Sequence, residues 1–564
     1  MKEGFRQSMA WLHTWTGLVV GWVLYFVFMT GTAGYFDEEI TRWMQPEAPL
    51  ATASAPVSGV DAVAHAQKIL SVRAADADRW SIDPPWGRTE YEWYLSWPKP
   101  TEAGAVARPG GRFAGRERIA MDPATGAVPT AASEPRDTDG GLGLYRLHYR
   151  LHYISEHSAI LIVGASTMLM LLAILSGIVT HKKIFKDFFT FRPRKGQRSW
   201  LDMHNVISVT ALPFFLMITY SGLIFFMYAY MPATMTLAYG ADKVWENDGY
   251  ANPLNPRANN RYDGDGQDEA RPRGRRAARE DAAPDSLTPA PLTDLSRLAA
   301  QVEQLWGPGS IGGISIDRPG DAKARVTFTF MENGMARNAR KSVVFDGVTG
   351  ANISPPAFRQ GATWKVQNAM IALHEGLFAG PLLRWFYFLS GLLGCAMIAT
   401  GLILWTVKRR QKQRREGDAL SFRLVETLNI GMIAGLPLGV AAYFWANRLL
   451  PASMETRVAW EYHSLFAAIG ATLLWAAIRR PAGKAWEEAL SIAALAFMLL
   501  PVLNAVTTDR HLGVTLPAGD WVLAGFDLTM LAFGAILAVA AMKVRRKWAA
   551  PSGRTRPARA ESFA

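Results

Sequence analysis

The chain has 564 residues, half of them hydrophobic and 19% charged, with a formal net charge of +12. Eight apolar runs, each near the roughly 20 residues that a bilayer-crossing helix needs, exclude a wholly soluble protein and suit a membrane protein with sizeable water-exposed parts. The single cysteine, Cys395, excludes intrachain disulfides, covalent C-x-x-C-H haem attachment and cysteine-held iron–sulfur clusters.

In chain order, the first run spans about Trp11 to Phe36; it is too long for a secretion signal, no A-x-A-like site follows, and it reads as an uncleaved span. Residues 37–147 form a water-exposed module. A helical segment, "PVSGVDAVAHAQKIL", leads to the alternating stretch "YEWYLSW" and then to "MDPATG". Residues 148–230 hold a second span, Ser158 to Thr180, a basic loop, and a third span, Val206 to Tyr230. Residues 231–370 repeat the module with "PLTDLSRLAAQVEQLW", "ARVTFTF" and "FDGVTG", after a Pro-, Asp- and Arg-rich insertion at about 253–288 that lacks apolar periodicity and reads as disordered. Each helical segment is expected to start at a Ser or Thr cap. Residues 371–410 contain the fourth span, Leu382 to Val407. Residues 411–564 add four more, near Leu424–Trp445, Glu461–Ile478, Ala489–Thr507 and Trp521–Val544.

The fold class is thus an α-helical integral membrane protein with about eight transmembrane helices and two small α+β modules. Lys and Arg set its orientation, because cytoplasmic loops carry their excess. Lys182, Lys183, Lys186, Arg192, Arg194, Lys195 and Arg198 face one acid, Asp187, and "KRRQKQRRE" is equally basic. With Lys2 and Arg6, Arg479 and Arg480, and the cluster from Lys543 to Lys547, all fall on one side of eight crossings. Both termini are expected in the cytoplasm and both modules in a bacterial periplasm. The positive charge then reports topology, and nucleic acid is not a partner.

An internal repeat organises the first 410 residues. "HTWTGLVVGWVLYFVFMTG" from His13 and "HNVISVTALPFFLMITYSG" from His204 place each His the same distance before Thr30-Gly31 or Ser221-Gly222, at an offset of 191. "MDPATG" matches "FDGVTG", and Ser176-Gly177 matches Thr400-Gly401, at an offset of 224. Asp122 and Asp346 in these D-x-x-T-G segments read as turn residues bonding their own backbone rather than as metal ligands.

The histidines follow the repeat. His13 and His204 sit at the cytoplasmic starts of spans one and three, and His374 lies at the outer approach to span four. Its counterpart is His148 or His152: ungapped alignment puts residue 150 opposite, so the choice stays open. One His pair near each membrane face, drawn from different helices, is what a buried b-type haem asks for. Interfacial histidines bonding headgroups or loop carbonyls are the competing reading. His181 aligns with Trp405 and is either an alternative ligand or an interfacial or propionate-binding residue; His157 caps a pocket or serves local structure; His65 and His511 read as surface residues. His374-Glu375 opens like H-E-x-x-H, but Phe378 stands at the second His position and no zincin site results. Trp43, Trp86, Trp93 and Trp97 read as core or interface aromatics before ligand contacts.

"LHYRLHY", "SGIVTHKKIFKDFFTFRP", "RSWLDMHN" and "ALPFFLMITYSGL" resemble the PepSY-associated transmembrane helix family over roughly residues 1–410, and the D-x-x-T-G segments resemble its PepSY modules. Members include inner-membrane ferric-siderophore reductases with two b-type haems. The resemblance implies His13 and His204 as axial ligands of an inner haem, and His374 with His152 or His148 for an outer one. It implies an oxidoreductase that reduces a ferric siderophore or other iron chelate in the periplasm. The four-span tail departs from the shortest members. No G-x-G-x-x-G follows a cytoplasmic strand, so electrons are expected from a membrane quinol or an external flavin-dependent donor protein. The alternatives are a PepSY-type regulatory or interaction protein without redox activity, and a transporter for an iron chelate.

Overall fold

The computed structural model describes residues 3–47, 59–85, 93–98, 116–128, 135–181, 191–193, 195–230, 288–330, 342–354, 362–376, 378–416 and 419–549. The insertion expected at 253–288 lies almost wholly outside these residues, as do Trp86 and Ser58. The chain divides into two compact units, Met1–Gly401 and Leu402–Ala564.

In the first unit, α1 (Glu3–Gly34) is a single uninterrupted helix. The short α2 (Asp37–Met44) follows, then α3 (Gly59–Arg73), β1 (Arg79–Asp83), β2 (Trp93–Pro98) and β3 (Arg116–Met121). The chain returns through α4 (Gly140–Arg150) and α5 (Glu156–Thr180), the latter opened by Ser155, whose hydroxyl accepts from the Ser158 N–H at 3.2 Å. The second half repeats this order with α6 (Gln197–Thr210), α7 (Leu212–Phe225), α8 (Leu295–Trp306), β4 (Ile311–Asp317), β5 (Arg325–Phe330), β6 (Ser342–Asp346), α9 (Ala362–Glu375) and α10 (Pro381–Glu416). α4 packs on α1 as α9 packs on α7.

The two modules are fused. Their strands form one six-stranded antiparallel sheet in the order β3-β2-β1-β4-β5-β6, joined where Trp80 pairs with Ile316 and Ile82 with Ile314. Alternation of side chains across a strand sends Trp80, Ile82, Leu95, Ile316, Val326 and Phe328 to one face, against Ala66 and Leu70 of α3 and Leu298 and Val302 of α8. Trp93 and Trp97 belong to this core, and Trp43 is buried in α2. The D-x-x-T-G segments are turns as expected: Asp122 Oδ1 accepts the Ala124 N–H at 2.8 Å, and Asp346 Oδ1 accepts the Thr349 N–H at 2.8 Å. Asp294, and not the expected Thr293, caps α8 by accepting the Ser296 N–H at 2.9 Å.

Among the described residues six helices are long and apolar enough to cross a membrane: Gly4–Gly34, Glu156–Thr180, Pro381–Arg410, Leu420–Leu449, Ala482–Thr507 and Trp521–Trp548. The expected third span is a bent pair, α6 and α7, which turn through 68° at Ala211 and make a seventh crossing if counted together. Pro213, with no N–H to give the preceding turn, stands at the break. The expected span at Glu461–Ile478 is a helix, Arg457–Ile478, but falls outside that apolar set.

The second unit continues from α10 with α11 (Leu420–Ile433), α12 (Gly435–Leu449), α13 (Arg457–Ile478), α14 (Ala482–Thr507) and α15 (Trp521–Ala549). α11, α14 and α15 meet through Ile430 and the alanines Ala485, Ala489 and Ala541, whose small side chains let backbones approach closely.

Candidate functional site: two histidine pairs across the repeats

Four histidines form two pairs. The rings of His13 on α1 and His204 on α6 have centroids 6.2 Å apart, and those of His148 on α4 and His374 on α9 lie 6.0 Å apart. The sheet follows the His148–His374 end of α1. His13 and Gly31, which underlies His148, are 18 residues apart on α1, so the two levels are separated by about 27 Å at 1.5 Å per residue.

One local rule fixes all four rings. His13 Nδ1 donates to the Ala173 carbonyl at 2.8 Å, His204 Nδ1 to Met397 at 3.0 Å, His148 Nδ1 to Val27 at 2.7 Å, and His374 Nδ1 to Ile218 at 3.1 Å. Each of these carbonyls lies one helical turn before a glycine: Gly177, Gly401, Gly31 and Gly222. A Cβ at Gly177 would stand 3.1 Å from His13 Cε1, one at Gly222 3.0 Å from His374 Cε1, and one at Gly401 3.3 Å from His204 Cε1; at Gly31 it would overlap His148. The missing side chain uncovers the carbonyl one turn back and gives the imidazole room to reach it. The Ser or Thr before each glycine turns its hydroxyl back along its own helix, as Thr30 does to Phe26 and Ser221 to Met217, and keeps the surface small.

This arrangement has a chemical meaning. A carbonyl only accepts, so each Nδ1 carries the ring proton and each Nε2 keeps its lone pair. Ligating histidines are oriented in the same way, the second nitrogen giving its proton to an oxygen behind it. Burial pushes His148 below the ordinary histidine range and His374 down to about 3, so both imidazoles are neutral. With metal–nitrogen bonds of roughly 2 Å, two imidazoles on opposite sides of one ion would have ring centroids about 6 Å apart, the spacing of both pairs. Among the described residues no three His, Cys, Asp or Glu side chains converge on one point. Each site therefore offers two donors, which fits a group that brings its own equatorial ligands, as haem does.

His152 does not join these sites. α4 ends at Arg150, and Leu151, His152 and Tyr153 have φ of 53°, 49° and 46°, a left-handed corner that ties the His152 ring to Tyr153 at a centroid distance of 4.3 Å. His148, still within α4, takes the place opposite His374. His181 is not a member of either pair; it caps α5, with Nε2 3.0 Å from Asn205 Nδ2. His157 is exposed in the first turn of α5. His65 stands 3.3 Å from the Pro123 carbonyl, and His511 caps a short helix by accepting the Gly513 N–H at 3.2 Å.

One cluster gave little sign in the sequence. In the second unit Arg457, Glu461, Asn447, Asn504 and Asp527 are wholly buried, and Arg448 nearly so. Asn447 donates to Glu461 at 2.8 Å, Arg448 to Asn504 at 3.0 Å, and Asn504 to Asp527 at 3.1 Å; Arg457 lies 3.5 Å from Glu461. α12, α13, α14 and α15 each contribute one or two of these polar residues, a pattern that shows only when the helices are laid side by side.

Repeat-related helices, a fused antiparallel sheet and paired half-buried imidazoles define a helical membrane protein built by internal duplication. The chain belongs to the family described as the PepSY-associated TM region, whose model matches residues 10–408. It is similar to an uncharacterized protein of Pseudomonas aeruginosa, 25% identical over 395 residues that cover 67% of this chain and 87% of that protein.

Proposed function

We propose that this chain is a di-haem electron carrier of the bacterial inner membrane that reduces ferric chelates, ferric siderophores among them, on the side of the sheet. The observation that carries this reading is the fourfold bond from Nδ1 to a helix carbonyl, which leaves the Nε2 lone pairs free on two pairs of rings whose centroids are 6.2 and 6.0 Å apart. When bound, two b-type haems would supply one-electron iron chemistry at two depths. His13 and His204 would hold one, and His148 and His374 the other.

The remaining work belongs to the protein. The carbonyls of Ala173, Met397, Val27 and Ile218 fix the tautomer and aim the rings. The separation of about 27 Å along α1 is close to the roughly 30 Å of the hydrocarbon core, so one level serves each face. The basic clusters orient both termini to the cytoplasm and the sheet to the periplasm. Ferrous iron is a weaker partner than ferric iron for hard oxygen ligands, so one electron per iron loosens the chelate. A quinol or an external flavin-dependent protein would supply that electron.

Haem stoichiometry tests the reading. Detergent-purified protein expressed with ample haem is expected to carry two haems per chain, with sharp α and β bands after dithionite, and to reduce a ferric chelate when electrons are supplied. Colourless protein would sink it.

A further inference from the structure

At the end of α5 away from the sheet, the structure holds a buried donor with no acceptor among the described residues. His181 closes α5, its backbone N–H on the Gly177 carbonyl at 3.1 Å, and Gly177 is the residue beneath His13. Its Nε2 lies 3.0 Å from Asn205 Nδ2, on the residue that follows His204. An amide nitrogen only donates, so Nε2 accepts and the ring proton sits on Nδ1. Among the described residues that Nδ1 is buried without a hydrogen-bond partner, and so is the hydroxyl of Ser208, one turn along α6 from His204.

The corner is also cationic. Arg6 donates Nε to the Thr180 carbonyl at 2.8 Å, which sets its guanidinium beside His181. The one carboxylate on α6, Asp202, is taken by Arg192 through two bonds of 2.8 Å. A buried N–H without an acceptor is costly, and an oxyanion beside Arg6 would remove that cost with a charge-assisted bond.

We propose that His181, with Arg6, binds a carboxylate, and, resting on the di-haem reading above, that this carboxylate belongs to the macrocycle held by His13 and His204. His181 is then a positioning residue that fixes which way that macrocycle faces. The equivalent position in the second repeat is Trp405, whose Nε1 is likewise buried without a hydrogen-bond partner among the described residues but whose ring has no nitrogen able to accept, as His181 Nε2 does from Asn205.

The test compares full-length wild type, His181→Ala and Arg6→Gln in detergent by the rate at which each of their two haems passes to an apo-globin acceptor. The expected result is haem loss from one site roughly ten- to a hundredfold faster in both variants, the size of one charge-assisted hydrogen bond, with the other site unchanged as an internal control for folding. The second arm reconstitutes each chain with the dimethyl ester of haem, whose carboxylates are masked; the difference between wild type and His181→Ala is expected to vanish. Two haems in wild type with equal retention in both variants would overturn this assignment and leave the di-haem reading standing. A difference that survives esterification would overturn it as well, in favour of a free anion or a lipid phosphate at the corner. Wild type without haem would overturn both.

Discussion

Gly222 and His374 meet across two helices: the ring rests where a Cβ on Gly222 would stand 3.0 Å from its Cε1, and its Nδ1 reaches past to the Ile218 carbonyl one turn earlier. The glycine acts through the histidine. Gly222→Ala is expected to push the ring off that carbonyl and to weaken haem retention at the sheet-side pair by roughly tenfold or more, the scale of overpacking a fitted contact. The other pair is expected to be unaffected, and haem transfer to an acceptor protein reads both at once.

Replacing His204 with Ala should reduce bound haem from two per chain to one and stop transfer across the membrane. Haem content by pyridine haemochrome and quinol-driven chelate reduction in vesicles check this; unchanged values would refute the assignment of His204.

His148 and His152 separate cleanly. His148→Ala is expected to remove the sheet-side haem, whereas His152→Ala, which changes a corner residue beside Tyr153, leaves the reduced spectrum as it was. The reverse outcome would place His152 opposite His374.

The buried cluster of the second unit offers a stability test free of any cofactor. Glu461→Ala leaves Arg457 and Asn447 facing an apolar interior without their carboxylate, and removal of one partner of a buried pair costs about 3–5 kcal/mol. A lowered unfolding temperature of the purified protein is expected. Replacing Arg457 and Glu461 together with apolar residues of similar volume should recover much of the loss.

Acid should loosen the sheet at its turns. The N–H and hydroxyl of Thr349, with the N–H of Val348, hold Asp346 below the usual carboxylate range. A depressed folded value means that this contribution is complete above the unfolded value of roughly 3.9 and disappears as the pH falls through the folded one. Fluorescence of the buried Trp80, Trp93 and Trp97 should report this acid transition, and Asp346→Asn should make it shallower.

Much of this architecture was legible in the sequence, for reasons that particular residues make clear. His13 and His204 stand at equal distances from Thr30-Gly31 and Ser221-Gly222 because each glycine belongs to the seat of a histidine at the opposite level, so duplication kept seat and ring in one frame. The choice between His148 and His152 was not legible: it turns on where α4 stops, and no Gly or Pro marks the left-handed corner at Leu151. The joining of the modules was hidden too, since Trp80 and Ile316 are separated by more than 230 residues and alternation within a strand says nothing of its distant partner. Nor did the apolar count register the bend at Ala211.

The pairing of β1 with β4 reaches beyond the sheet itself. Carriers with duplicated halves work by letting one half rock against the other about a central site, and such a swing needs a compliant connection. Here the tips of both halves are stitched through backbone hydrogen bonds into a single ladder, and any rocking would have to shear it. A frame tied in this way suits traffic between fixed stations far better than alternating access.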